Sequence, residues 1–152
     1  MEICLKKGFN RNVLTCRRED GTSTHQNLGP SFPYHDIAHY VVEKKLNLEN
    51  GFYGQIRSGM SIAELSDKNV IKHLASEAWL AEILTRNLQA LSSHAATLEQ
   101  YSELILLEAK NMSINKVPQM DLKVIVEMRN EYATLCNKWD ALSENETLKL
   151  IF

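Results

Sequence analysis

From Asp67 to Met112 the chain contains neither glycine nor proline, and its apolar residues recur by fours and threes. Leu84, Leu88, Leu91, Ala95, Leu98, Ser102, Ile105, Ala109 and Met112 keep one phase throughout. That spacing marks the buried stripe of helices. Ser92-Ser93 offers a cap for a second helix, but the unbroken phase favours one long helix, on the order of 65 Å. "SINKVPQMD" then turns the chain. A return helix over about 119–142 repeats the stripe with Ile125, Met128, Tyr132, Leu135, Trp139 and Leu142. Two such stripes joined by a short proline-containing loop predict an antiparallel helical hairpin.

The first third reads differently. Residues 2–7, 12–19 and 22–28 are short β-leaning runs, separated by "GFNRN" and by a turn at Asp20-Gly21. A meander this small needs a helix against one face. "GPSFP" provides one: Ser31 is placed to cap, and Pro33 suits a first turn, where its missing N–H has no intrahelical partner. The helix is expected over 33–48, with Gly51 as its left-handed terminator. Ser61 and Glu64 have capping-box spacing for a further short turn. Ser143 and Glu146 repeat that spacing, so "ENETLKLIF" is expected to form a final turn. The predicted fold class is α+β, with a head over 1–65 and a helical hairpin over 66–152, together one compact domain.

Composition narrows the functional classes. Hydrophobic residues make up 44% and charged residues 24%, as in globular proteins and unlike disordered ones. A net charge of −2 brings no global field toward nucleic acid or anionic lipid. No membrane span or signal peptide is read, and a cytoplasmic location is expected. Cys4, Cys16 and Cys136 have neither disulfide nor zinc-ribbon spacing.

Chemistry concentrates in "FPYHDIAHYVVEKK", residues 32–45. On a helical wheel Ile37, Ala38, Val41, Val42 and Leu46 share the core face. His35, His39 and Glu43 stack along its border, and Asp36 and Tyr40 point further out. Two imidazoles at i, i+4 suit zinc or another divalent metal, with a carboxylate as third ligand. The metal candidates are therefore His35, His39 and Glu43, with His73 and Glu77 as weaker ones and His25 on the third strand as another. Asp36 and Glu43 are the candidate catalytic carboxylates. The order H-D-x-x-H echoes the H-E-x-x-H of metalloproteases, but aspartate is one methylene shorter. The competing reading is structural: histidines at a helix border often bond only to neighbouring groups.

The segment "FPYHDIAHYVVEKKLNLENGFYGQI" resembles one in small uncharacterised bacterial proteins, where a strand meander precedes an HDxxHxxVE…GF-aromatic-G pattern. The matching positions are His35, Asp36, His39, Val42, Glu43, Gly51, Phe52, Tyr53 and Gly54. The resemblance spans about the first 65 residues and implies a bacterial origin and a common head fold, but no activity. Two functions from different classes follow. One is a divalent-metal-binding protein, with hydrolase chemistry at the histidine helix. The other is a non-enzymatic interaction module. Tyr101, Leu104, Leu106 and Leu107 spread apolar surface beyond what one return helix covers, so a homodimer through the helical half is expected, with a protein partner as alternative.

Overall fold

The computed structural model describes residues 1–152. Strands β1 (Glu2–Lys6), β2 (Asn12–Arg17) and β3 (Ser23–Leu28) form the expected meander. Helices α1 (Phe32–Leu46), α2 (Phe52–Arg57), α3 (Ile62–Leu65), α4 (Lys68–Ile71), α5 (Ser76–Ser92), α6 (Leu98–Asn111) and α7 (Leu122–Ala141) follow. The class is α+β, as expected. The last segment corrects the prediction: Thr147–Ile151 is a strand, β4, and no helical turn. It pairs antiparallel with β1, giving the sheet order β3-β2-β1-β4.

Alternation explains the pairing. Ile3 and Leu5, Leu14 and Cys16, and Leu148 and Leu150 all fall on one face and are buried. The register sets Ile3 opposite both Cys16 and Leu150, and Leu5 opposite both Leu14 and Leu148. "TLKLI" carries the period-2 pattern of a half-buried strand. The Ser143–Glu146 spacing concealed it: the Glu146 carboxylate does accept from the Ser143 amide at 2.6 Å, but in a turn ahead of the strand. Between β2 and β3 the Arg18 amide donates to Thr22 O (2.8 Å), and Gly21 supplies the left-handed residue (φ 85°) that closes the hairpin.

Helix α1 crosses the buried side of the molecule. Pro33 stands in its first turn, but the Ser31 side chain makes no capping bond. Its end also differs from expectation. Asn47, not Gly51, is the left-handed residue (φ 52°), and the Leu48 amide returns to Glu43 O at 2.9 Å. Every residue from Asp36 to Glu43 is buried. Asp36 and Tyr40 therefore do not face outward, because they lie on the side of α1 that the sheet and α2 cover: the Tyr40 hydroxyl donates to Ile151 O at 3.3 Å, and Asp36 stands beside Cys16 and Tyr53.

The long helix is broken. His94 adopts a left-handed conformation (φ 60°), and the amides of Ala95 and Ala96 both turn back to Ala90 O (2.8 and 3.2 Å). Thr97 and Gln100 then form a reciprocal capping box that starts α6. The hairpin of this half is thus α5 with α6, tied by Asn87 Nδ2 to Glu108 Oε1 and Arg86 to Glu108 Oε2, both 2.9 Å. Helix α7 matches its expected stripe, burying Ile125, Met128, Tyr132, Leu135 and Trp139, but lies against α1 and α5. One core of 33 residues runs from the sheet through both helical layers. No helix is long and apolar enough to cross a membrane.

Candidate metal centre

His35 and His39 lie one turn apart on α1, and their Nε2 atoms approach to 3.2 Å. The third group comes from α5. Glu82 Oε2 is 3.2 Å from His39 Nε2 and 3.4 Å from His35 Nε2. Three donor atoms thus form a nearly equilateral triangle. Bonds of about 2.0–2.1 Å around a tetrahedral zinc require ligand–ligand edges of roughly 3.3–3.4 Å. These side chains could hold one metal ion with little rearrangement.

The outer nitrogens are also held. Glu43 Oε1 accepts from His39 Nδ1 at 2.9 Å, and Gln89 Oε1 accepts from His35 Nδ1 at 3.1 Å. Both bonds direct a ring's Nε2 toward Glu82, as outer-shell partners of metal-binding histidines do. Arg86 Nε stands 3.6 Å from Glu82 Oε1, the oxygen turned away from the imidazoles.

Glu43 is a correction to the expected ligand set. Its carboxylate lies on the far side of the His39 ring and accepts from the amides of Phe52 and Tyr53 (both 2.9 Å) and Gly54 (3.3 Å). These are the unsatisfied N–H groups at the start of α2, where a carboxylate is favoured. With no exposed surface and both oxygens engaged, Glu43 is a positioning group and has no free lone pair aimed at the triad. Gly51 makes the approach feasible: a Cβ there would stand within about 2.8 Å of three Glu43 side-chain atoms. The spacing E43…G51-F52-Y53-G54 is thereby given a physical reason.

The other expected ligands lie elsewhere. His73 is exposed after α4, and His25 is exposed on β3. Glu77 accepts from the backbone amide and side chain of Asn50 at 3.0 and 3.2 Å. Sequence reading missed Glu82 and Gln89. They sit seven apart on α5, hence two turns apart on one face, beside the Leu84–Leu91 stripe. That pair was visible, but its partner helix was not.

Electrostatics follow from burial and pairing. Burial pushes the His39 pKa down, but its bonds to Glu43 and Glu82 outweigh this and hold it up at about 9. Burial raises the Glu82 carboxyl, yet the two imidazoles keep it well below the usual carboxylate range. Asp36 is raised to about 6 by burial, with His39 and His35 pulling against that shift. Its Oδ2 is buried with no hydrogen-bond partner, and the residue lines the same cavity as the triad. That cavity, about 510 Å³, lies between the sheet, α1, α2 and the start of α5.

The chain matches no family model, and neither a curated protein nor a solved structure matches it.

Proposed function

We propose that this protein binds one divalent metal ion through His35 Nε2, His39 Nε2 and a carboxylate oxygen of Glu82, and uses it in hydrolysis. The observation that carries the reading is the triangle of 3.2, 3.2 and 3.4 Å edges, with both histidines fixed from behind. Two histidines and one carboxylate leave a coordination position open, the arrangement of catalytic rather than structural zinc. The same donor set also suits ferrous iron, so the ion is named by class, with zinc preferred for hydrolysis. When bound, such an ion supplies Lewis acidity and lowers the pKa of a coordinated water. Asp36, with a free oxygen at the cavity wall, is the residue placed to hold a proton during the reaction. Glu43, the other expected catalytic carboxylate, acts through His39.

Metal analysis of protein purified without a histidine tag tests the proposal. One equivalent of zinc or another divalent metal is expected, lost in Glu82→Ala and in His39→Ala. A protein that takes up no divalent metal at neutral pH, while remaining folded, would overturn it.

A second reading, self-association, is supported by Leu106 and Leu107 on α6, which are 58% and 56% exposed. Tyr101, expected to share that surface, is instead fully buried in the core, and Leu104 is half-buried. The two readings are compatible, since the exposed leucines do not line the metal cavity.

A further inference from the structure

The wall around the triad restricts what can bind beside a metal. Of the 18 residues lining the cavity, 10 are hydrophobic, and they come from separate elements. Leu14 and Leu28 rise from the sheet, Phe52 from α2, Leu65 from α3, and Leu74 and Trp79 from the entry to α5. Neither lysine nor arginine lines the cavity, and its acidic groups are Asp36 and Glu82. With a metal on the two imidazoles, a dianionic phosphate would meet two carboxylates and neither lysine nor arginine in the wall to answer it. A divalent ion offsets Glu82 and leaves charge for about one more anionic donor. Phe32 lines the cavity and is 55% exposed, so the space reaches solvent on that side. A volume of this size lies within the range that holds small organic ligands, roughly 300–1,000 Å³.

We propose that the ligand of this cavity is an amphipathic small molecule, with one neutral or singly charged oxygen head for the metal and an apolar body against Leu28, Phe52, Leu65, Leu74 and Trp79. The proposal rests on the metal centre proposed above. It excludes nucleotides, sugar phosphates and other multiply charged substrates, for which the wall has no counter-charge. Burial of each added methylene in such a wall tightens binding by about fourfold.

The experiment uses the zinc-loaded full chain, with metal content measured first, and straight-chain hydroxamic acids from two to ten carbons as probes. Calorimetric titration is expected to show affinity rising about fourfold per methylene over the shorter members. An alkyl phosphate of equal chain length is expected to bind more weakly than its hydroxamate. Leu74→Lys is expected to keep zinc and flatten the dependence on chain length. If that variant does not fold, Gln55→Lys places the same charge in the wall from a half-buried polar position. Affinity independent of chain length in zinc-loaded wild type, or alkyl phosphates binding tightest, overturns this inference and leaves the metal reading standing. Absence of zinc uptake overturns the metal reading and this inference with it.

Discussion

Glu43 and Glu82 both touch His39, yet their removal should have opposite consequences. Glu43 has no exposed surface and satisfies three backbone amides and an imidazole. Each buried donor left without a partner costs about 1–3 kcal/mol. Glu43→Ala should therefore lower the unfolding free energy by roughly 3–5 kcal/mol, read from urea denaturation. The Glu82 side chain is 36% exposed and holds no backbone group. Glu82→Ala is expected to keep stability within about 1 kcal/mol of wild type and to lose metal binding. Equal destabilisation by both substitutions would assign Glu82 a structural role instead. Glu43→Gln, which keeps the shape, should weaken metal binding by about 10–100-fold.

The proton on His39 yields a pH prediction at the same scale. Its folded-state pKa, about 9, lies above the ordinary histidine value near 6.5. In the metal-free protein this contributes stability that is complete below about 6.5 and disappears as pH rises through about 9. Metal must displace the same proton, because it takes the same nitrogen lone pair. Zinc affinity should therefore rise with pH through the neutral range and level off above about 9, with proton release on binding. Titration calorimetry in buffers of different ionisation enthalpy measures that release. A pH-independent affinity would exclude His39 as a ligand.

At the scale of elements, two backbone positions decide whether the helices meet at the right place. Gly51 opens α2 directly against the Glu43 carboxyl, with no room for a Cβ. Gly51→Ala should push that carboxylate off the α2 amides, costing about 1–3 kcal/mol in stability and lowering zinc affinity together. Loss of stability with unchanged zinc affinity would separate Glu43 from the site. His94 is the opposite case. It is exposed and left-handed at the α5–α6 bend, where glycine has no Cβ penalty. His94→Gly should stabilise the protein by about 0.5–1 kcal/mol, measured by thermal unfolding, and leave metal binding unchanged. The bend also explains how one long helix came to be expected. Both α5 and α6 bury their stripes in the same core, so the hydrophobic phase survives a break. The legible stop was Thr97-x-x-Gln100, a capping box inside a stretch free of glycine and proline.

For the whole molecule, the C-terminal strand is the tie between the ends. β4 pairs with β1 along five residues, and the Phe152 amide donates to Met1 O at 3.0 Å. Phe152 packs on Tyr53, whose hydroxyl donates to Asp36 O at 3.2 Å, so the strand supports α1 and α2 from outside the site. Deleting residues 147–152 exposes Ile3 and Leu5 at a bare sheet edge. Such a truncation should lose cooperative unfolding, followed by circular dichroism, whereas a folded and metal-binding product would show that β4 is dispensable. Self-association belongs to this scale too. Light scattering over a dilution series should show a dimer that Leu106→Glu with Leu107→Glu converts to monomer. A monomer at every concentration would retire the second reading.

Local patterns, periodicity together with turn and cap residues, were enough to read the α+β class, the three meander strands, the histidine helix and the α7 stripe. Each is a local pattern, set by which side chains alternate or recur along a few turns of backbone. The same local reading placed His35 and His39 side by side, since i, i+4 geometry needs no tertiary information. Glu82, forty-three residues from His39, became their partner only when α5 packed on α1. Glu43 lost its role as ligand for a related reason: the start of α2 presented amides that a wheel of α1 cannot display. The strand nature of "TLKLI" depended on a free edge at β1, and the end of α5 on where α6 had to fold back. A pattern along one segment states which face is apolar. Which element covers that face, and which polar group it brings, is settled by packing between segments far apart in the chain.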